Sequence, residues 1–235
     1  MKEIKPKDKE ITVKQDAPAD LLTKTTGERL GFDDGDDKDL IIPRVKLVQS
    51  NDMANFDPAT EGDIRPGMFI NSITHEILDP EFIPIFVFKK WIKFTPMDQG
   101  GGIEWQSSDP NDPRVIEEAK WGENDEKPLA TTFLNFFSLF KGCESPLLLS
   151  FSRTSYKAGK KLYSLAKLRP GDIFSRKYKL LSKQVKDKFT YWVFDVAPGV
   201  NASPEECAQS HKVFQAFYHR REAIVTDQEP ENIGQ

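Results

Sequence analysis

Three stretches of this chain set cationic side chains among aromatic rings. The first reads Lys89-Lys90-Trp91-Ile92-Lys93-Phe94, and the second Arg153-Thr154-Ser155-Tyr156-Lys157-Ala158-Gly159-Lys160-Lys161-Leu162-Tyr163. The third, Phe174-Ser175-Arg176-Lys177-Tyr178-Lys179, continues through Lys183, Lys186, Lys188, Tyr191 and Trp192. Cationic groups neutralise phosphates, and flat rings stack on exposed bases for about 1–3 kcal/mol per base. The mixture suits a single-stranded nucleic acid, which presents a phosphate and a base face at every unit. The candidate contacts are Lys89, Trp91, Lys93, Arg153, Tyr156, Lys157, Lys160 and Lys161 in the first two stretches. In the third they are Arg176, Lys177, Tyr178, Lys179, Lys183, Lys186, Lys188, Tyr191 and Trp192. Some of these rings must be core, since Phe and Trp are mostly buried. Trp91 stands apart, because strand alternation puts Lys89 and Lys93 on its own side, making it the first choice for a stacking platform. Lys157, Lys160 and Lys161 are expected to meet phosphates, as flexible ammonium groups carry little base information.

Other chemistry finds little material. No nucleophile elbow, Walker A loop, dinucleotide fingerprint or zinc pattern occurs. Gly100-Gly101-Gly102 reads as a turn, with no lysine and helix start behind it. Cys207 and His211 lie four apart on a helical stretch, which is too few ligands for a metal. Asp98, Glu104, Asp109, Asp112, Glu117 and Glu118 could serve a Mg²⁺-dependent nuclease, but they fall in loop-like sequence that offers no scaffold for the geometry. The expectation is a non-enzyme with no catalytic residue, no metal site and no cofactor.

Charge is distributed unevenly. The whole chain carries −4, yet residues 141–192 carry +10 and residues 41–140 carry −7. A basic segment inside an acidic chain attracts a polyanion toward one region.

The elements that must position these residues follow from pattern. Short apolar runs at 40–48 and 66–73 read as strands, and residues 82–94 form the strongest strand. Residues 131–140 and 147–152 read as two more, followed by a helix over 155–166 with Ala158, Leu162, Leu165 and Ala166 on one face. Residues 174–181 and 189–196 read as paired strands. On the second, Phe189, Tyr191 and Val193 face one way and Trp192 and Phe194 the other, so only one set can meet a ligand. Ser203-Pro204-Glu205-Glu206 is a capping box that opens a last helix bearing Phe214, Phe217 and Tyr218. Residues 96–128 are loop-like, long enough to imply ordered pieces or a flap, with a short helix within 114–121.

Composition agrees. With 17 Phe, 4 Met and an aromatic share of 11%, the interior should be rich in β-structure. Two cysteines are too few for a disulfide framework, and no run of about 18 apolar residues is present. A soluble, intracellular chain is expected, with a polar tail over 1–39, one binding domain over 40–221 and an acidic tail over 222–235. The expected fold class is mainly β (α+β): an OB-type five-stranded barrel with extra strands, an internal helix and a C-terminal helix.

Several runs also carry a family likeness. Ile42-Pro43-Arg44-Val45-Lys46-Leu47-Val48-Gln49, Pro66-Gly67-Met68-Phe69, Phe88-Lys89-Lys90-Trp91 and Leu148-Leu149-Ser150-Phe151-Ser152-Arg153-Thr154-Ser155-Tyr156-Lys157 resemble bacteriophage single-stranded DNA-binding proteins with an OB core. The resemblance spans roughly 40–220. It implies a protein that coats single-stranded DNA during phage replication or recombination, in the host cytoplasm and away from membranes. It also implies replication or recombination partners recruited through an acidic C-terminal tail. Here Glu222, Asp227, Glu229 and Glu231 are acidic, but the chain closes on Ile233-Gly234-Gln235 instead of an aromatic residue, a departure from that pattern. The residues leave open a non-catalytic phage interaction or assembly protein whose basic face meets a protein partner. They also leave open the oligomeric state and the choice between DNA and RNA.

Overall fold

A computed structural model describes residues 41–123 and 126–221. The expected tails at 1–39 and 222–235 lie outside them. The strands are β1 (Val45–Leu47), β2 (Phe69–Asn71), β3 (Glu81–Phe94), β4 (Ile103–Ser107), β5 (Thr131–Phe140), β6 (Leu147–Phe151), β7 (Arg176–Lys186) and β8 (Thr190–Asn201). The helices are α1 (Pro113–Glu118), α2 (Tyr156–Lys167) and α3 (Pro204–Phe217). The chain is mainly β, as its aromatic and β-branched runs require, and all strand pairings are antiparallel.

The large sheet runs β6-β5-β3-β7-β8, with β4 added to the far end of β3, and β1 and β2 form a separate pair. No closed barrel forms among the described residues. The small sheet nevertheless touches both edges of the large one. Arg44, just before β1, bridges to Leu148 on β6, and Gln49, just after β1, grips Trp192 on β8.

β3 organises the core on both of its faces. Its register shifts between Pro84 and Phe86, and the bulge exchanges which parity of residue faces which side. Before it, Phe82 enters the main core and Ile83 the opposite face; beyond it, Val87 lies toward the main core and Phe86 and Phe88 lie opposite. A strict alternation read along residues 82–94 therefore fails at this point.

The main core gathers Phe82, Phe136, Phe151, Tyr178, Leu180, Phe194 and Val196, and α2 covers it with Ala158 and Leu162. The helix can approach because Gly159 lies on Phe151, where an added Cβ would sit 2.7 Å from the Phe151 Cβ. The opposite face, with Ile83, Ile85, Phe86, Phe137 and Leu148, receives Phe214, Phe217 and Tyr218 of α3. The helix starts where its capping box predicts. The Glu206 N–H donates to the Ser203 Oγ at 3.2 Å, and the Ser203 N–H donates to the Glu206 carboxylate at 2.7 Å.

The outer edge of β8 is closed by side chains. The Trp192 N–H donates to Gln49 Oε1 at 2.8 Å, that of Phe194 to Ser155 Oγ at 3.3 Å, and that of Val196 to Asp195 Oδ1 at 2.8 Å. The next residue of this alternate series is Pro198, which has no N–H. An edge strand with its donors occupied is a poor template for pairing with another chain.

Candidate nucleic-acid interface

The second and third basic stretches come together. α2 lies against β8, and Asp195 on β8 pairs with Lys161 of α2 at 2.9 Å and with Lys183 of β7. The Asp195 carboxyl is partly buried, which disfavours its charge. Hydrogen bonds from Lys183, Lys161 and the Val196 N–H outweigh that burial and hold its pKa at about 2. On this helix and hairpin and in the turns beside them, Arg153, Lys157, Lys160, Lys179, Lys186 and Lys188 are exposed, and none of them makes an ion pair among the described residues.

The strand register decides which rings this surface can offer. Leu180, Phe194 and Val196 of the β7–β8 hairpin lie in the main core, with Trp192 packed against it. Residues opposite one another share a face, so Val185 and Tyr191, Lys183 and Val193, and Leu181 and Asp195 lie on the outer side. Tyr191 thus shares its face with Lys183. Trp192 faces inward instead, with Gly67 at positive φ lying against its ring. The hairpin pairs with β3 only at Lys179 and Tyr178, so its far half is held by its own two strands. Phe189 stands 59% exposed at the tip between Lys188 and Thr190, and Tyr163 is exposed on α2.

Six of the expected contacts are covered by other elements or held by partners within the fold. Trp91 is not a platform: it is 9% exposed and packs with Trp105, Val115 and Ala130. β4 and α1 fold back over the end of β3, a covering that no alternation within β3 could reveal. The same covering takes Lys93, which pairs with Glu104 at 3.0 Å and Glu118 at 3.1 Å. Tyr178 is wholly buried against Phe82, and Tyr156 packs against the same core. Lys177 is tied to Glu81 at 3.2 Å and Glu206 at 3.1 Å, joining β7 to the start of β3 and to α3. Arg176 donates to the Gly199 carbonyl at 2.9 Å, bracing the base of the hairpin. Lys89 is exposed, but it lies on the half of β3 remote from the β7 pairing.

Several carboxylates of the 96–128 region also have local partners. Glu104 and Glu118 hold Lys93, while Asp112 caps α1 through the Arg114 N–H and pairs with its guanidinium at 2.8 Å. Among the described residues, no group of three or more His, Cys, Asp or Glu is placed to hold a metal ion. Cys207 donates weakly to the Phe174 carbonyl, and His211 packs against the Phe174 ring. No helix among the described residues is long and apolar enough to cross a membrane.

The rings that sequence reasoning left off the candidate surface are Phe189 and Tyr163. Their signal was present: Lys186 and Lys188 precede Phe189 in the hairpin turn, and Lys160 and Lys161 precede Tyr163 on its helix.

Fold and surface together define a mainly β protein in which a basic helix and a basic hairpin meet at Asp195. The chain belongs to the Pam3 phage gp34-like protein family, whose model matches residues 10–223, and it is thus a phage protein. No curated protein and no solved structure matches it.

Proposed function

We propose that this protein binds single-stranded DNA without sequence preference, during phage replication or recombination, through the face shared by α2 and the β7–β8 hairpin. The observation that carries the reading is the junction at Asp195. It links two basic elements that carry lysines with no ion-pair partner among the described residues, the exposed rings of Phe189 and Tyr163, and the half-buried ring of Tyr191. Lysines supply sequence-independent phosphate contacts, and the rings supply stacking.

The strand order supports an OB-type reading of the fold. The longest strand, β3, pairs with both β5 and β7, the meander β3-β5-β6 is followed by a helix, and the hairpin β7-β8 completes five strands. In OB folds the loops after the first and fourth strands flank the bound strand. Here those connections are the 95–130 segment and the Lys186–Phe189 tip. This step from fold to function is analogy, and the charges and rings of the face carry the weight.

Titration of labelled oligo-dT in rising salt, with and without Mg²⁺, tests the proposal. The expected result is a linear fall of log affinity with log salt, about 0.7 per phosphate neutralised, and intact DNA in Mg²⁺. Absent or salt-independent binding overturns it and turns attention to a protein partner for the same face. Cleavage in Mg²⁺ would instead make the protein a nuclease.

A further inference from the structure

We infer that Asp195 is a built-in competitor for phosphate, an internal anion that holds Lys161 and Lys183 and sets how strongly the basic face captures a polyanion. The inference rests on the reading of that face as the nucleic-acid surface.

Three features of the site point this way. Two ammonium groups from separate elements converge on one carboxylate, which is the geometry a bridging phosphate oxygen would demand. The carboxylate is anchored and the lysines are not. The Asp195 side chain is 13% exposed and accepts the Val196 N–H, whereas the Lys161 and Lys183 side chains are 47% and 64% exposed. Finally, Lys157, Lys160, Lys179, Lys186 and Lys188 make no ion pair among the described residues. Asp195 therefore removes two of the cations of this face from service. It does so reversibly, because surface ion pairs of flexible lysines are weak enough for an incoming phosphate to exchange with them.

Asp195 is thus a positioning residue. It stores the two side chains at the junction of helix and hairpin, and a bound strand recruits them only by competing with it. Binding should be weaker and less steeply salt-dependent than the count of lysines implies, which favours release of the strand.

The test compares wild type with Asp195→Asn, whose amide oxygen can still accept the Val196 N–H. Heparin serves as a generic polyanion beside oligo-dT. The substitution should tighten binding to both, and should steepen the salt slope on oligo-dT by up to about 1.4, the value for two added phosphate contacts at about 0.7 each. Lys183→Gln should have little effect alone but should cancel roughly half of that steepening in the Asp195→Asn background. If Asp195→Asn keeps its thermal transition and matches wild type on heparin, the inference is overturned and Asp195 is a strut. If Asp195→Asn does not fold, Lys183→Gln in the native background decides. A full loss of one phosphate contact from its slope means that Lys183 was never held in reserve. A wild type that binds heparin but not oligo-dT defeats the nucleic-acid reading while leaving the role of Asp195 measurable.

Discussion

At the scale of single residues, two aromatic side chains exchange the roles that their neighbours suggest. Trp91 has lysines on either side of it, yet its ring is sealed by Trp105 and Val115. Phe189 is the apolar residue of a polar turn, and its ring stands in solvent. Trp91→Ala should destabilise the protein by about 3–5 kcal/mol through the cavity it leaves, read as a lowered melting temperature. Phe189→Ala should leave melting nearly unchanged and weaken oligo-dT binding by about 1–3 kcal/mol, the loss of one stacked base. Its salt slope should match wild type, since stacking releases no counterions. Wild-type affinity in the Phe189 variant would move the stacking role to Tyr191 or Tyr163.

At the scale of elements, the β7–β8 hairpin depends on small polar attachments along its outer edge. Gln49 uses both ends of its amide on one residue, accepting from the Trp192 N–H and donating to the Trp192 carbonyl at 3.0 Å. Removing it leaves a half-buried backbone donor without its partner and loosens the link between β1 and β8. Gln49→Ala should therefore cost about 1–3 kcal/mol. It should also expose an edge able to pair with a second copy, which sedimentation would detect as concentration-dependent association. A variant that associates no more than wild type and keeps its stability would show that Ser155 and Pro198 guard the edge by themselves.

At the scale of the whole molecule, acid should weaken the attachments that hold the helices to the sheet. The Asp195 carboxyl sits at about 2, and the Ser203 N–H with Lys177 holds that of Glu206 below its usual range. Groups whose pKa is depressed by folding stabilise the protein above their unfolded values, near 4, and lose that contribution as pH falls through the folded ones. The melting difference between wild type and Asp195→Asn should hold from pH 5 to 8 and shrink below about pH 4. Its size should be on the order of 1 kcal/mol, since the two lysines are well exposed. A difference that persists undiminished at pH 2 would mean that the ionised carboxylate is not its source.

Most of the elements were legible in the sequence, although β4 falls in a stretch that reads as loop. Apolar runs, the helical face of Ala158 and Leu162, and the Ser203 capping box are local signals. They place β5 at Thr131–Phe140 and start α3 at Pro204, as the pattern predicts. The +10 segment was legible too, since charge is additive along the chain. Tertiary structure alone decided which of those charges remain available and which rings are covered. Lys177 meets Glu81 and Glu206, Lys161 meets Asp195 from 34 residues away, and the segment after β3 returns to bury Trp91. Periodicity tells a side chain which way to point relative to its neighbours, because it reflects the repeat of one element. What then lies in front of that side chain depends on docking between elements distant in sequence, and on a single bulge that exchanges the two faces of β3.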